Sequence, residues 1–300
     1  MKLLVKLFIL LLPLPLLAAD LPQVLVSIQP LHSLASNVMK GVATPQLLVK
    51  GSQSPHTFSL RPSDMRKVAN ADLLVWIGES LETPMTNVLK SAKSKVHIIE
   101  LGKSPELERL ESSEEEGGHH DHHHHDFDPH LWLSPDNAVE IVKLLVAELS
   151  RIDPTNRGRY FANGIKTQIK IKRMDRKLRR TLRRVRHQPY LVFHDAYQYF
   201  ERHYGLNRVG AVTLSPERAP GAKHVRKLVN KIKSQQVKCI FSEPQFEPKL
   251  VTMLAKEGQV NAGILDPLGA SLPTGSDLYF KLIENLAMSL SQCLSKKPNS

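Results

Sequence analysis

One long amphipathic stretch divides this chain into two halves that share the same sequence pattern. Between residues 155 and 186, apolar side chains recur at steps of mostly three or four, which predicts one helix with a single apolar stripe. About 30 helical residues span about 45 Å. A helix of that length suits a strut between two lobes better than a crossover within one lobe. The predicted stripe consists of Phe161, Ile165, Ile169, Met174, Leu178, Leu182 and Val185.

Short apolar runs alternate with helical patterns on both sides of this stretch, as is typical of parallel sheets covered by helices. We therefore expect the α/β fold class, with two parallel-sheet lobes at residues 20–152 and 188–300 joined by one rigid helix at 153–187. The predicted strands lie at residues 24–28, 46–50, 72–78 and 95–101 in the first half and at 190–193, 238–243 and 261–267 in the second half.

Residues 1–19 are predicted to be a signal peptide and not part of the fold. Lys2 and Lys6 precede an apolar run over residues 7–17, which ends in small residues at Ala19. This layout is typical of a secretory signal that is cleaved after Ala19. A membrane anchor is the alternative, but the run is too short to span a bilayer. We expect a soluble mature protein in the periplasm.

The basic character of the chain is concentrated in the predicted helix. Most of the formal net charge of +12 comes from residues 157–186, which hold thirteen Lys or Arg residues and one acidic residue, Asp175. A basic run can indicate nucleic-acid binding. However, an exported protein rarely meets nucleic acid, and aromatic side chains do not alternate with the cations for base stacking. We interpret the run as a solvated helix face, and a weak interaction with anionic lipid or an acidic partner stays open.

The chain has two cysteines, Cys239 and Cys293, so only one intramolecular pairing exists. Neither cysteine lies in a CxxC motif or near a histidine at metal-ligand spacing, which argues against the alternative of a thiol ligand. Because export permits oxidation, we expect a disulfide that ties the last helix to an internal strand.

Residues 111–126 form a polar, low-complexity segment that predicts a mobile loop within the first lobe. Imidazole is a good ligand for Zn²⁺, Cu²⁺ and Ni²⁺. An expression tag is the alternative, but this run is internal and Asp121 interrupts it. Because ordering a flexible run costs entropy, we interpret the segment as an accessory metal-collecting loop. Its histidines are His119, His120, His122, His123, His124 and His125.

Four potential metal ligands follow predicted strands, where binding residues of α/β folds collect. His56 and His130 precede the long helix, and His194 and Asp266 follow it. A metal held by all four would lie in the cleft between the lobes. Three imidazoles and one carboxylate match tetrahedral Zn²⁺, whereas Mg²⁺, Ca²⁺ and Mn²⁺ prefer more oxygen ligands. Taken alone, each of these residue types is more often a helix cap or a hydrogen-bonded polar group. His32 is interpreted as a packing or capping residue, although it is the other histidine most expected near the cleft.

The motifs PHTFSLRPSD, DPHLWLSP, FHDAYQYF, FSEPQF and LDPLG resemble those of the metal-binding proteins of ABC-type importers for zinc and manganese, in the same order. The resemblance implies two α/β lobes with the metal between them. It implies His56, His130 and His194 as ligands, with Asp266 as the fourth or facing a position that water fills. The His-rich insertion is typical of the zinc members, some of which have a disulfide like the pair of cysteines here. Manganese relatives usually carry a carboxylate at the position of His194.

Two departures from the family pattern limit this resemblance. Some relatives have an acidic residue just before the first ligand, where this chain has Pro55, so any carboxylate contact there is lost. The His-rich loop is also short, which puts strong multi-metal storage in doubt.

We expect a monomer, not an enzyme, that captures Zn²⁺ in the periplasm and delivers it to a membrane permease. A zinc hydrolase is one alternative, with Glu243 or Glu217 as its acid–base group, although HExxH and GxSxG motifs are absent. A surface adhesion or scaffold protein with a structural metal is another. The lack of a cysteine for lipid attachment near Ala19 argues against surface attachment.

Overall fold

The computed structural model describes residues 21–51, 53–91, 96–112, 127–213 and 220–297. The predicted signal peptide, the six clustered histidines and Glu217 lie outside these residues. Within them, no helix is long and apolar enough to cross a membrane.

The first half of the chain forms a four-stranded parallel sheet with the strand order β2-β1-β3-β4. All four strands lie within the predicted segments. Its elements are β1 (Val24–Val26), α1 (Gln29–Val38), β2 (Gln46–Leu47), α2 (Pro62–Ala69), β3 (Leu73–Trp76), α3 (Thr86–Ser91), β4 (His97–Glu100) and α4 (Pro135–Ile152).

The second half forms another four-stranded parallel sheet, with the order β6-β5-β7-β8. The fold class predicted from the strand–helix alternation is confirmed, but β6 was missed because its short run begins with Arg208 and contains Gly210. The elements are α5 (Arg157–Leu182), β5 (Tyr190–His194), α6 (Gln198–Tyr204), β6 (Arg208–Thr213), α7 (Ala222–Ser234), β7 (Cys239–Ser242), α8 (Lys249–Gly258), β8 (Asn261–Ile264) and α9 (Leu278–Ser295).

Helix α4 shows how local sequence sets an element that the metal site depends on. The side chain of Ser134 accepts a hydrogen bond from the backbone N–H of Asn137, and Pro135 occupies the first turn, where it costs no helical hydrogen bond. Buried residues then recur on one face: Ala138, Ile141, Val142, Leu145 and Leu149. This helix start fixes the preceding short turn, Leu131–Leu133, which follows His130.

The long helix is present, but three of the seven residues in its predicted apolar stripe are exposed. Phe161, Ile165 and Ile169 are 61%, 43% and 47% exposed. A Cβ at Gly164 would lie 2.4 Å from Cγ2 of Val146 on α4, so the absence of a side chain allows the two helices to pack closely on that face. The residues of α5 that are buried instead are Tyr160, Gly164, Thr167, Ile171, Met174, Leu178 and Leu182.

The two halves share more than the connecting helix. Helix α9, the last helix, returns from the second sheet to pack against α1 and α5, and one apolar core extends through both halves. The predicted disulfide is confirmed: it joins Cys239 on β7 to Cys293 on α9, with Cα atoms 6.2 Å apart. The disulfide thus ties α9 to the second sheet, while the same helix packs against α1 of the first half.

Candidate metal centre

Three histidines from different parts of the chain meet between the two sheets. One ring nitrogen from each of His56, His130 and His194 lies within 4.8 Å of the others. His56 lies in a turn after β2, His130 immediately precedes the turn Leu131–Leu133, and His194 is the last residue of β5. His130 and His194 are each only 4% exposed. The structure thus brings together three of the four residues that were predicted as metal ligands.

A buried carboxylate orients the ring of His130. Oδ1 of Asp128 accepts a hydrogen bond from Nδ1 of His130 at 2.7 Å and another from the His130 backbone N–H at 3.0 Å. The hydroxyl of Tyr199 donates to the Asp128 carbonyl at 2.8 Å, which fixes the backbone of this turn. With its Nδ1 proton held by the carboxylate, His130 presents Nε2 as the metal-binding nitrogen.

Burial keeps this histidine in the neutral form that a metal requires. It lowers the pKa of His130 well below the usual value, and the neighbouring His194 lowers it further. Burial also raises the pKa of Asp128 to about 7, while the hydrogen bond from the His130 backbone opposes that shift. Burial disfavours both the carboxylate form of Asp128 and the imidazolium form of His130. We therefore expect the imidazole ring to carry one proton and not two.

The ring of His194 is held in the same way by a carboxylate from another strand end. Oε1 of Glu243, just after β7, lies 2.7 Å from Nδ1 of His194, and Glu243 is 3% exposed. Asp128 was not predicted from the sequence, and Glu243 was considered only as a catalytic group. The available signals were the two-residue spacing between Asp128 and His130 and the position of Glu243 directly after a strand.

Asp266 is not in the histidine cluster that the structure assembles. Its carboxylate accepts hydrogen bonds from the side-chain amide of Gln245 at 2.9 Å and from the backbone N–H groups of Leu268, Gly269 and Ala270 at 3.1, 2.9 and 2.6 Å. Four donors on one carboxylate satisfy its acceptors locally. Asp266 therefore organises the loop that forms one wall of the site.

The space between the rings is small, and most of the exposed surface that lines it is apolar. It measures about 20 Å³, enough for one ion or one water molecule. The indole of Trp132 donates to the carbonyl of Pro267 at 2.8 Å, which joins the turn after His130 to the Asp266 loop. The lining residues include Pro55, Trp132, Phe246, Pro267 and Leu268.

His32 lies outside the cluster. It is buried on α1, and its Nε2 hydrogen-bonds the carbonyl of Pro45 at 2.9 Å. This residue is therefore a satisfied core histidine, and its burial lowers its pKa.

Comparison with known proteins places these features in a family. Residues 24–293 match the family model described as "ZnuA: Zinc-uptake complex component A periplasmic". The chain is 39% identical to the high-affinity zinc uptake system protein ZnuA of Brucella suis, over 93% of this chain and 94% of that protein. It is 31% identical to the protein of the same name from Yersinia pestis, over 90% and 91%. A crystal structure of ZnuA superposes with a TM-score of 0.79 at 25% identity, covering 92% of this chain and all of that one.

Proposed function

This chain belongs to the ZnuA family of periplasmic zinc-uptake components, and from that premise we propose that it captures Zn²⁺ in the periplasm and delivers it to an ABC-type importer. The observation that carries the proposal is the cluster of His56, His130 and His194, whose ligand nitrogens lie within 4.8 Å of one another. Zn²⁺ is the cargo of this site.

Three neutral imidazoles are the ligands, and water takes the fourth position of a tetrahedral Zn²⁺. The carboxylates of Asp128 and Glu243 contact Nδ1 of His130 and His194, so we do not count them as metal ligands. The protein ligands of the ion are therefore all nitrogen atoms. A nitrogen-rich set favours Zn²⁺ over Mg²⁺, Ca²⁺ and Mn²⁺, which prefer oxygen. Asp266 acts through the loop that it holds.

Delivery follows capture in three steps. The His-rich segment at residues 111–126 raises the chance of catching a scarce ion, the ion moves to the three histidines, and the loaded monomer docks on the permease. The mature chain begins after a signal peptide cleaved at Ala19. We divide it into lobes at residues 20–152 and 188–300, joined by the helical segment at residues 153–187.

A zinc hydrolase is the rival function, and the site disfavours it. Such an enzyme needs a general base that faces the metal-bound water. Of the two candidate bases, Glu217 lies outside the described residues, and Oε1 of Glu243 lies 2.7 Å from Nδ1 of His194.

Calorimetric zinc titration of the mature chain tests the proposal. Three variants accompany it: His194→Ala, a deletion of residues 117–126, and the control His224→Ala, whose ring hydrogen-bonds the carbonyl of Val212 and does not belong to the cluster. We expect one tight site that only His194→Ala weakens. Tight binding that survives His194→Ala but disappears with the segment would show that the His-rich run is the receptor.

The same titration at pH 7 and pH 5 tests histidine ligation. Protons and Zn²⁺ compete for the same ring nitrogens, so zinc affinity is retained above the histidine pKa values and lost as the pH falls through them. The lowered pKa of His130 keeps this residue neutral at pH 7. We expect weaker binding at pH 5, and equal affinity at both pH values would contradict ligation by histidine.

Restored growth of a zinc-uptake mutant in zinc-poor medium separates transport from a scaffold role. The wild-type chain should restore growth and His194→Ala should not. A chain that loses its fold on zinc removal but gives no growth benefit would be a scaffold with a structural metal.

A further inference from the structure

The outward face of α5 begins with a row of exposed apolar side chains. Phe161, Ile165 and Ile169 follow one another at steps of four, so they lie on successive turns of one face. They are 61%, 43% and 47% exposed. Single exposed apolar residues are ordinary, but three on consecutive turns form a continuous strip. The opposite face of α5 packs against α1, α4 and α9.

The same face continues as a row of cations. Lys172, Arg176 and Arg180 follow Ile169 at steps of three and four, and all three are exposed. Among the described residues, none of the three pairs with a carboxylate. Cations on the flanks of α5 do pair: Lys170 with Asp277, Lys177 with Glu284 and Arg179 with Asp175.

The segment that contains this helix carries the whole charge imbalance of the protein. Residues 157–186 hold thirteen basic residues and one acidic residue, an excess equal to the formal net charge of +12. The rest of the chain has equal numbers of basic and acidic residues. Ten of these thirteen basic residues lie on α5 itself.

The shape of the face selects its partner. A row from residue 161 to residue 180 spans about 28 Å along a convex helix. A concavity between α4 and α5 adjoins the first residue of the row, Phe161, but a straight convex row of this length suits a flat surface better than an inserted peptide. An apolar strip continuous with Lys and Arg is the pattern of helices that lie at a lipid interface, where the apolar groups enter the acyl boundary and the cations meet phosphates.

We propose that this face, consisting of Phe161, Ile165, Ile169, Lys172, Arg176 and Arg180, docks on a bilayer of anionic phospholipid. The proposal is independent of zinc binding, because none of these residues belongs to the histidine cluster. In a periplasmic protein, such docking binds the protein reversibly to the membrane. The protein then reaches a membrane partner by diffusion along the bilayer surface.

Cosedimentation with vesicles tests the docking. The mature chain is mixed with vesicles of phosphatidylcholine alone or of equal parts phosphatidylcholine and phosphatidylglycerol. Binding to the phosphatidylglycerol vesicles should be the stronger and should fall with added salt. Replacing all three cations (K172Q, R176Q and R180Q) should weaken that binding about a hundredfold, since each cation near an anionic surface contributes about a fivefold increase in affinity.

The matched control removes the same charge from another helix. Lys223, Arg226 and Lys227 are exposed on α7, and K223Q, R226Q and K227Q together should leave most of the binding intact. The triple variant F161S, I165S and I169S should lose at least tenfold in affinity. Unchanged zinc affinity would show that each variant is folded.

Two outcomes would overturn the proposal. Equal losses from the α5 and α7 variants would mean that binding follows net charge alone. Equal affinity for the two vesicle types, or no binding to either, would exclude an anionic bilayer and leave an acidic protein as the partner of this face.

Discussion

Each of the two most buried histidines in the cluster has a carboxylate of its own. Asp128 and Glu243 lie 2.7 Å from Nδ1 of His130 and His194, and both carboxylate residues are less than 5% exposed. A carboxylate on Nδ1 fixes the ring orientation and increases the basicity of the nitrogen that binds metal. The zinc affinity of the site therefore depends on residues that do not touch the ion.

Replacing either carboxylate by its amide tests this dependence. Asp128→Asn and Glu243→Gln keep the side-chain volume but remove the negative charge, so we expect zinc affinity to fall 10- to 100-fold. Competition with a chromophoric chelator measures the change. The control is Asp175→Asn, because Asp175 lies 2.8 Å from His203 in a pair that does not belong to the cluster. Wild-type affinity in both site variants would show that these carboxylates are only structural.

The sequence located the three histidines but not the orientation of every side chain near them. His56, His130 and His194 could be found because each follows a predicted strand or precedes a recognisable helix start. Asp266 occupies a similar position, yet its carboxylate turns to the N–H groups of its own loop. That choice depends on the path of the backbone after the strand, which strand periodicity does not specify.

At the scale of the element, α5 shows where apolar periodicity alone fails. Two faces of this helix could have been the buried one, and the more apolar of the two in its first half, with Phe161, Ile165 and Ile169, is exposed. The buried face has Gly164 and Thr167 instead, because α4 approaches too closely for larger side chains. A small residue inside a helical pattern is a signal for such a close approach.

Two glycines of α5 give opposite expectations for the same substitution. Gly164→Ala should reduce the free energy of unfolding by about 1 kcal/mol, because the new Cβ meets the stiff side chain of Val146 and the overpacking outweighs the gain in helix propensity. Gly158→Ala should increase it by about 0.5–1 kcal/mol, since nothing lies within 4 Å of the added atom. Urea unfolding measures both values. Equal stabilisation by the two substitutions would contradict the described packing of α4 on α5.

At the scale of the whole molecule, two separate sheets share one continuous apolar core. The two-lobe arrangement could be predicted because strand–helix alternation resumes after the long helix. The return of α9 to α1 and α5 could not, because the sequence does not state which distant helix an apolar face will cover. This return adds a second connection between the lobes beside α5.

Two connecting helices should limit hinge motion. We expect zinc loading to change mainly the turns around the histidines, so small-angle scattering should give the same radius of gyration for the zinc-free and loaded protein. Hinge closure pivots on a few loop residues, whereas here two packed helices cross between the lobes. A clear decrease in the radius of gyration on loading would contradict this expectation.

Anomalous diffraction at the zinc absorption edge tests the central claim most directly. Crystals of the mature chain grown with one equivalent of Zn²⁺ should show one strong anomalous peak between the rings of His56, His130 and His194, within coordination distance of a nitrogen from each. A peak elsewhere, with none between these rings, would contradict the assignment of this cluster as the zinc site.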